Sequence, residues 1–263
     1  MEMRAGRLAA VAGSVLLCLT IPVFGQDVTI DFTGVANTNV QALGAYAGFY
    51  TGTVNGVASE PGFICDDYNN EIFLPSESWQ ATATSFSSLV SGGQATAALG
   101  TTLFGNSIGL AGYAAIAYLS NLMASTPSAQ QADISAAIWY IGSIGTGTLS
   151  LSNLDTTAQN YVTSLLGTTG LFGSGTPGSF TNAAVAELEN SSLWIYTPTG
   201  QGITPAGDPF PQEFIGSVAV VSASEGGAAL LYLLLAALCC FGALYLRNRK
   251  QGGLLKRLYA SYR

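Results

Sequence analysis

The sequence contains no histidine, and residues 26–227 contain neither lysine nor arginine. Proteins bind nucleic acid through Lys and Arg side chains that neutralise phosphates, so this stretch is excluded as a nucleic-acid interface. The same absence excludes phosphoryl-transfer sites and lysine Schiff bases. Without histidine, the Ser–His and Cys–His couples of many hydrolases are excluded as well. We therefore predict no catalytic residues, no cofactor and a protein that is not an enzyme.

Charge is scarce in this sequence, and its two signs are separated along the chain. Charged residues make up 9% of the sequence, against 49% hydrophobic residues. Residues 26–227 carry fourteen acidic side chains and no basic one, which gives a formal charge of −14. The basic residues lie at the two ends: Arg4, Arg7, Arg247, Arg249, Lys250, Lys256, Arg257 and Arg263. The hydrophobic content predicts a buried core inside an acidic domain.

Residues 1–25 have the pattern of a secretory signal peptide. Arg4 and Arg7 precede an apolar run, and Val23 and Gly25 are small enough for cleavage before Gln26. An uncleaved N-terminal membrane helix is the alternative interpretation. The pattern predicts export of the residues that follow.

Residues 228–246 form a second apolar run, nineteen residues long and without charge. As a helix this run spans about 28 Å, close to the thickness of the bilayer hydrocarbon. Basic residues follow it at once, which places residues 247–263 in the cytoplasm as a basic tail. We predict one C-terminal transmembrane helix, a spacer at residues 222–227, and an extracytoplasmic domain at residues 26–221.

The C-terminal segments together resemble a known sorting signal. Glu225 in the spacer, the apolar run, and the cluster of Arg247, Arg249 and Lys250 resemble the PEP-CTERM signal. The resemblance implies an exported bacterial surface protein, a membrane peptidase called exosortase as a partner, and association with extracellular polysaccharide. Ser224 and Gly226 stand where that family has prolines. We therefore expect retention in the membrane, with release to the cell surface after sorting as the alternative.

Local patterns predict an α+β domain between the signal peptide and the spacer. Strands are predicted by alternation or β-branched and aromatic residues at 27–32, 48–54, 63–65, 193–197 and 214–221, with a turn at Asn55-Gly56. Helices are predicted at 110–123, from Thr126 as N-cap through the apolar face of 134–141, and from Asp155 as N-cap to Leu166. Residues 167–180 are rich in Gly, Ser and Thr and are predicted to form a loop.

Cys65 is the cysteine that remains outside the cell, because Cys18 lies in the signal peptide and Cys239 and Cys240 lie in the membrane helix. A small buried thiol is one interpretation. The motif Phe63-Ile64-Cys65-Asp66, followed by Ala137-Ile138-Trp139, also resembles the thioester domains of bacterial adhesins.

That second resemblance implies a β-barrel or sandwich with an inserted helical part. It also implies an internal acyl bond between Cys65 and a glutamine, which would make the protein a covalent adhesin. The family's glutamine falls near Ser135 in this sequence, which cannot form the bond. Gln130 and Gln131, about a turn earlier, are the remaining partners for Cys65.

An acidic and amide-rich run follows Cys65 and suggests a calcium site. Asp66, Asp67, Asn69, Asn70 and Glu71 supply oxygen ligands of the kind that Ca²⁺ prefers. The alternative is a turn in which these side chains cap local backbone groups. No dedicated metal centre is predicted beyond this run.

Three functions are compatible with these patterns. The first is a non-enzymatic, membrane-anchored surface protein in the cell envelope or its polysaccharide matrix. The second is covalent adhesion through Cys65. The third is a carbohydrate-binding or hydrolysing module, in which acids would act in pairs and Trp79, Trp139 or Trp194 would stack on sugars.

Overall fold

The computed structural model describes residues 25–69, 77–199, 211–217 and 235–236. Internal contacts divide the chain into two units, residues 1–220 and residues 221–263. The described strands are β1 (Gln26–Val35), β2 (Gln41–Ala42), β3 (Ala45–Tyr46), β4 (Phe49–Val54), β5 (Val57–Ala58), β6 (Phe63–Cys65), β7 (Glu77–Ser85), β8 (Val90–Ser91), β9 (Gln94–Ala95), β10 (Trp194–Pro198) and β11 (Phe214–Gly216). The described α-helices are α1 (Gly105–Ala124), α2 (Ser128–Gly142), α3 (Thr156–Leu165) and α4 (Asn182–Asn190).

Six strands close an antiparallel β-barrel. Their order is β1-β7-β10-β11-β6-β4, and β4 pairs back with β1. Strand β5 adds to β4 through a tight turn in which Asn55 and Gly56 have φ angles of 50° and 79°. These left-handed angles are the ones that Asn-Gly adopts readily in hairpins. The predicted α+β class, barrel and Asn-Gly turn are confirmed, and the sheet closes as a barrel rather than a sandwich.

Two barrel strands have one face toward the barrel core and one more exposed face. In β1, inward Val28, Ile30 and Phe32 are buried while the residues between them are partly or fully exposed. In β7, inward Trp79 and Ala81 alternate with exposed Ser78 and Gln80 in the same way. The rings of Phe32 and Trp79 stack with centroids 4.8 Å apart at the centre of the barrel. On this side of the barrel, burial therefore alternates from one residue to the next, as expected for strands with one face toward a hydrophobic core.

The other four barrel strands, β4, β6, β10 and β11, are buried on both faces over part or all of their length, although Thr51 and Thr53 on the outward face of β4 are partly exposed. Their inward residues join the barrel core, and these are Tyr50, Phe63, Cys65, Tyr196 and Phe214. Their outward residues join a second core formed with the helices, and these are Phe49, Ile64, Ile195 and Ile215. A strand between two hydrophobic layers has no need of polar alternation, which explains the short apolar runs in the sequence.

Helix α1 is the centre of the helical layer. Its residues from Leu110 to Ala117 are all buried. Within the described part of the chain it is the one helix long and apolar enough to cross a membrane, and 72% of its apolar window is buried inside the protein. Burial of this kind marks α1 as a core helix of the domain.

Several helix and strand predictions are confirmed, and others need correction. Asp155 caps α3 by accepting the backbone N–H of Ala158 at 2.8 Å, as predicted. Helix α2 begins one residue later than predicted, because Pro127 rather than Thr126 is its N-cap residue. The Thr126 hydroxyl instead donates to the carbonyl of Leu122 at 2.7 Å, in the preceding helix. The prediction missed β7 and α4 entirely.

The proposed targeting segments lie almost entirely outside the described residues. This applies to the predicted signal peptide except for its last residue, Gly25, and to the predicted transmembrane run at residues 228–246 except for Leu235 and Ala236, which are helical. It also applies to Glu225, Arg247, Arg249 and Lys250 of the sorting-like signal. Export and membrane anchoring therefore remain predictions from the sequence.

Candidate functional site

A cavity of about 600 Å³ lies at the end of the barrel where β6 ends and β4 and β11 begin. Four aromatic side chains line it among the described residues: Tyr46, Tyr50, Tyr68 and Trp139. Two amides and one carboxyl also line it: Gln41, Gln212 and Asp67. Cavities of this size with an aromatic lining and a few polar groups are typical of small-ligand sites in proteins.

The β2–β3 hairpin forms one wall of this cavity, and two tyrosines hold it in place. The hydroxyl of Tyr68 donates to the carbonyl of Leu43 at 3.1 Å. The hydroxyl of Tyr50 donates to the carbonyl of Tyr46 at 2.9 Å. Both tyrosines belong to or follow barrel strands, so the barrel fixes the position of the hairpin.

The turn of this hairpin is strained at Leu43. Leu43 has a φ of 51° and Gly44 a φ of 84°, and both values lie in the left-handed region. A branched apolar side chain rarely adopts this conformation, and doing so costs about 1–3 kcal/mol. The strain places the Leu43 side chain against both hydrophobic cores and in the cavity wall. Such strain is concentrated at binding and catalytic sites in proteins.

One backbone carbonyl beside the cavity accepts hydrogen bonds from two side chains. The carbonyl oxygen of Asp67 accepts the Cys65 thiol at 3.0 Å and the amide of Gln212 at 3.1 Å. The Asp67 carboxyl accepts the backbone N–H of Asn69 at 2.8 Å. These contacts tie the end of β6 to the residue that enters β11.

Cys65 is buried and its thiol is protonated at neutral pH. Burial raises the pKa of the Cys65 thiol well above its ordinary value, and the carboxyl groups of Asp67 and Asp66 raise it further. The indole N–H of Trp139 lies near the sulfur but outside hydrogen-bond geometry. A protonated, buried thiol is a weak nucleophile, so Cys65 behaves as a structural donor in this state.

Two buried carboxyls meet between the barrel and α1. Glu213 accepts the Leu103 backbone N–H at 2.8 Å and the Tyr113 hydroxyl at 2.7 Å, and it also accepts the Thr197 hydroxyl. Asp66 is fully buried, and no N–H or O–H group of another described residue donates to its carboxyl oxygens. Asp66 and Glu213 lie close enough for the charge of Glu213 to raise the pKa of Asp66, so ionising both buried carboxyls together is unfavourable.

The donors around Glu213 decide which carboxyl of this pair holds the proton. Burial raises the pKa of Glu213, while its donors act in the opposite direction. Burial raises the pKa of Asp66 well above its ordinary value, and the charge of Glu213 raises it again. Glu213, which accepts three hydrogen bonds, is therefore the ionised member, and Asp66, which accepts none from other described residues, is the member that keeps its proton.

The structure assigns different surroundings to the glutamines predicted beside Cys65. Gln130 is exposed on α2. Gln131 is partly buried, and its amide donates to the carbonyl of Thr126 at 3.1 Å. Gln212, which the sequence did not single out, is the glutamine that shares a hydrogen-bond acceptor with Cys65. Ser135 accepts the backbone N–H of Gly48 at 2.9 Å and so joins α2 to the start of β4.

The predicted calcium ligands divide between different surroundings. Asp66 faces Glu213 in the buried pair, and Asp67 lines the cavity. Asn69 is exposed, whereas Asn70 and Glu71 lie outside the described residues. Among the residues that the structure describes, no group of three or more His, Cys, Asp and Glu side chains is placed to hold a metal ion.

A second cavity of about 280 Å³ lies beside the same hairpin, and Gln41 and Leu43 line both cavities. Its polar lining comes from Asp133 on α2 and from Asn153 and Asp155 before α3. Partial burial and the neighbouring Asp155 raise the pKa of Asp133 to about 6. The backbone N–H of Ala158, and then the side chain of Asp133, lower the pKa of Asp155. Asp133 therefore takes up a proton below about pH 6, whereas Asp155 stays ionised to lower pH.

No protein-family model, no curated protein and no solved structure matches this chain. The fold and the geometry of the two cavities are therefore the basis for any functional assignment.

Proposed function

We propose that the chain is an exported, single-pass surface protein whose extracytoplasmic domain binds a neutral extracellular polysaccharide without catalysing a reaction. The observation that carries this proposal is the aromatic cavity at the end of the barrel. The electron-rich face of an aromatic ring attracts C–H groups of slight positive charge, which sugar rings carry on their faces. Amide and carboxyl groups such as those of Gln41, Gln212 and Asp67 satisfy sugar hydroxyls.

The charge of the domain supports a neutral ligand. Residues 26–227 carry fourteen acids and no base, so a polymer of uronate, sulfate or phosphate units meets repulsion at every approach. An extracellular location, inferred from the signal-like N-terminus and the basic tail, brings the domain to the polysaccharide of the cell envelope. We expect the protein to stay anchored in the membrane. Cleavage of the tail by an exosortase-type peptidase, which would release the domain to the cell surface, is the alternative within this proposal.

The arrangement of carboxyls supports binding rather than hydrolysis. Glycosidases place two carboxyls on either side of the bond that they break. Asp67 is the carboxyl that lines the aromatic cavity among the described residues. Asp66 and Glu213 are fully buried and do not line this cavity.

Binding to immobilised polysaccharides tests the proposal. The full-length chain in detergent micelles is applied to neutral, acidic and amine-bearing polysaccharides, and retention on a neutral one is expected. Tyr46→Ala removes an aromatic ring that is 44% exposed in the cavity wall, and weaker retention is expected. Tyr118→Ala is the matched control, because Tyr118 is 39% exposed on α1 and lines neither cavity. Equal retention of both variants, or retention on acidic polymers alone, would contradict the proposal.

A covalent adhesin is the second candidate function, and the position of Gln212 favours it. The Cys65 sulfur and the Gln212 amide both lie within 3.1 Å of the Asp67 carbonyl oxygen. Attack of the sulfur on the Gln212 side-chain carbonyl would form a thioester and release the amide nitrogen as ammonia. The thiol proton leaves with that ammonia, so the atoms balance.

Intact mass spectrometry tests this second candidate directly. A thioester lowers the mass of the full-length chain by one ammonia, and Cys65→Ala or Gln212→Glu abolishes the loss. Gln131→Glu is the matched control and leaves the loss in place. A wild-type mass without that loss removes the covalent mechanism and leaves the polysaccharide proposal standing.

A further inference from the structure

The two cavities beside the β2–β3 hairpin share a wall. Gln41 and Leu43 line both the aromatic cavity of about 600 Å³ and the second cavity of about 280 Å³. The two cavities are therefore neighbours, separated only by residues of this hairpin.

The lining of the two cavities differs in a way that suits consecutive units of one chain. The first presents aromatic rings, including Tyr68 and Trp139, whose centroids are 5.5 Å apart. The second presents the carboxyls of Asp133 and Asp155 and the amide of Asn153 around a floor of small alanines. Such linings suit one sugar unit that stacks against rings and a neighbouring unit whose hydroxyls meet carboxyl acceptors and the donor N–H groups of Asn153.

The polar groups of the second cavity are held in fixed positions. Asp155 is anchored because it caps α3 through the backbone N–H of Ala158. The side-chain oxygen Oδ1 of Asn153 accepts the backbone N–H and the hydroxyl of Ser150, at 2.8 and 2.7 Å. These two hydrogen bonds fix the orientation of the whole Asn153 side-chain amide, including its NH₂ group. Groups that are positioned in advance cost less to order when a ligand binds.

Leu43 occupies the junction of the two cavities. Its left-handed backbone is maintained by the Tyr68 hydroxyl, which donates to its carbonyl at 3.1 Å. A glycine or asparagine would relieve the strain of this turn, but neither would supply an apolar side chain between the cavities.

We propose that the two cavities are adjacent subsites of one groove, which binds a neutral polysaccharide along several sugar units rather than at a single sugar. This inference rests on the proposed polysaccharide-binding function and adds the length and path of the ligand. A groove with subsites recognises internal segments of a polymer, so the protein would attach to the body of a matrix strand and not only to its end.

The groove is tested by varying the length of the oligosaccharide ligand. The neutral polysaccharide that retains the protein is cut into oligosaccharides from the monosaccharide to the hexasaccharide. Each is titrated into the full-length chain in detergent micelles by calorimetry. Affinity is expected to rise by about tenfold or more when the oligosaccharide becomes long enough to occupy both cavities, and then to level off.

Filling the second cavity provides the matched pair of variants. Ala132→Trp places a large ring in the second cavity, so the gain from chain length should disappear while monosaccharide affinity stays unchanged. Ala129→Trp lies on the exposed face of the same helix, lines neither cavity, and should keep the length dependence. Asp133→Ala removes an acceptor without adding bulk, and severalfold weaker binding of the hexasaccharide alone is expected. It therefore serves as the second variant should Ala132→Trp not fold.

The outcomes separate the two proposals. If the monosaccharide and hexasaccharide bind equally, or if Asp133→Ala weakens both to the same degree, the groove is overturned and the aromatic cavity remains the site. If no polysaccharide retains the protein at all, both proposals fall.

Discussion

The protonated carboxyl of Asp66, buried beside Glu213, predicts that the folded protein loses stability as the pH rises. Asp66 is fully buried, and its pKa is raised well above the ordinary value by burial and by the charge of Glu213. In the unfolded chain an aspartate loses its proton near pH 4. Above that pH the folded state holds one proton that the unfolded state has released. The unfolding free energy therefore falls with increasing pH until the folded pKa is passed.

The size of the effect follows from the number of protons. One proton held only by the folded state gives a slope of about −1.4 kcal/mol per pH unit. The loss accumulates at this rate over the whole interval between the unfolded and the folded pKa of Asp66, and each pH unit removes a noticeable fraction of the stability of an ordinary domain. The contribution is fully present below about pH 4 and is lost as the pH rises.

Asp66→Asn tests this interpretation, because asparagine keeps the shape of the side chain and donates an N–H to Glu213 without titrating. The expected result is a flatter pH profile and a higher unfolding free energy than wild type at neutral pH. Urea unfolding of the full-length chain in detergent micelles, followed at several pH values, measures both. Asp27→Asn is the matched control, since Asp27 is exposed on β1 and lies outside the pair. Parallel pH profiles for Asp66→Asn and wild type would refute the reasoning.

Glu213→Gln gives the opposite expectation from Asp66→Asn. The Glu213 carboxylate accepts from Leu103, Tyr113 and Thr197, and a glutamine turns one of its two acceptor oxygens into a donor. At least one buried donor then loses its partner, at a cost of about 1–3 kcal/mol at every pH. Equal stability effects for the two variants would contradict the assignment of the proton to Asp66.

Two further outcomes follow from the packing and from the sequence. Gly142→Ala should destabilise the protein by about 1–3 kcal/mol, because its Cβ would overlap the backbone carbonyl of Asp66, whereas Gly100→Ala has open space and should be neutral in the same urea unfolding measurement. Trypsin finds no cleavage site between Arg7 and Arg247, so on intact cells the anchored protein should keep its size, and it should lose only the tail once the cells are permeabilised. Shortening by trypsin on intact cells would show that the tail is outside.

Much of the fold could be predicted because local patterns match local structure. Strand β1 was predicted from its alternation, the hairpin turn from Asn55-Gly56, and the start of α3 from Asp155 as its cap. Strand β7 was missed because its inward positions combine Trp79 with small alanines, so the alternation has little contrast. Helix α4 was missed because it is nine residues long and its buried side is only Ala184 and Leu188.

The cavity could not be predicted from any local pattern, because its residues are far apart in the sequence. Tyr46, Tyr68, Trp139 and Gln212 come from a hairpin, a loop, a helix and the entry to the last strand. The resemblance to thioester domains directed attention to Cys65 and Trp139, which the structure does place near each other. It directed attention to the wrong region for the glutamine that approaches Cys65, since Gln212 lies far from α2 in the sequence.

One regularity of the barrel does connect the sequence with the site. Residues that alternate along a doubly buried strand keep their sides for a residue or two beyond its end. Phe63 and Cys65 point into the barrel, and Asp67 continues that series into the cavity wall, while Ile64 and Asp66 face the helical layer. Before β11 the same parity sends Gln212 to the cavity and Glu213 to α1. At the end of β6 and before β11, two adjacent residues therefore have different roles. Asp67 and Gln212 line the cavity, whereas Asp66 and Glu213 form the buried carboxyl pair. If this parity holds, exchanging Gln212 and Glu213 should disrupt ligand binding and the pH dependence of stability together, whereas Asp66→Asn should change the pH dependence alone.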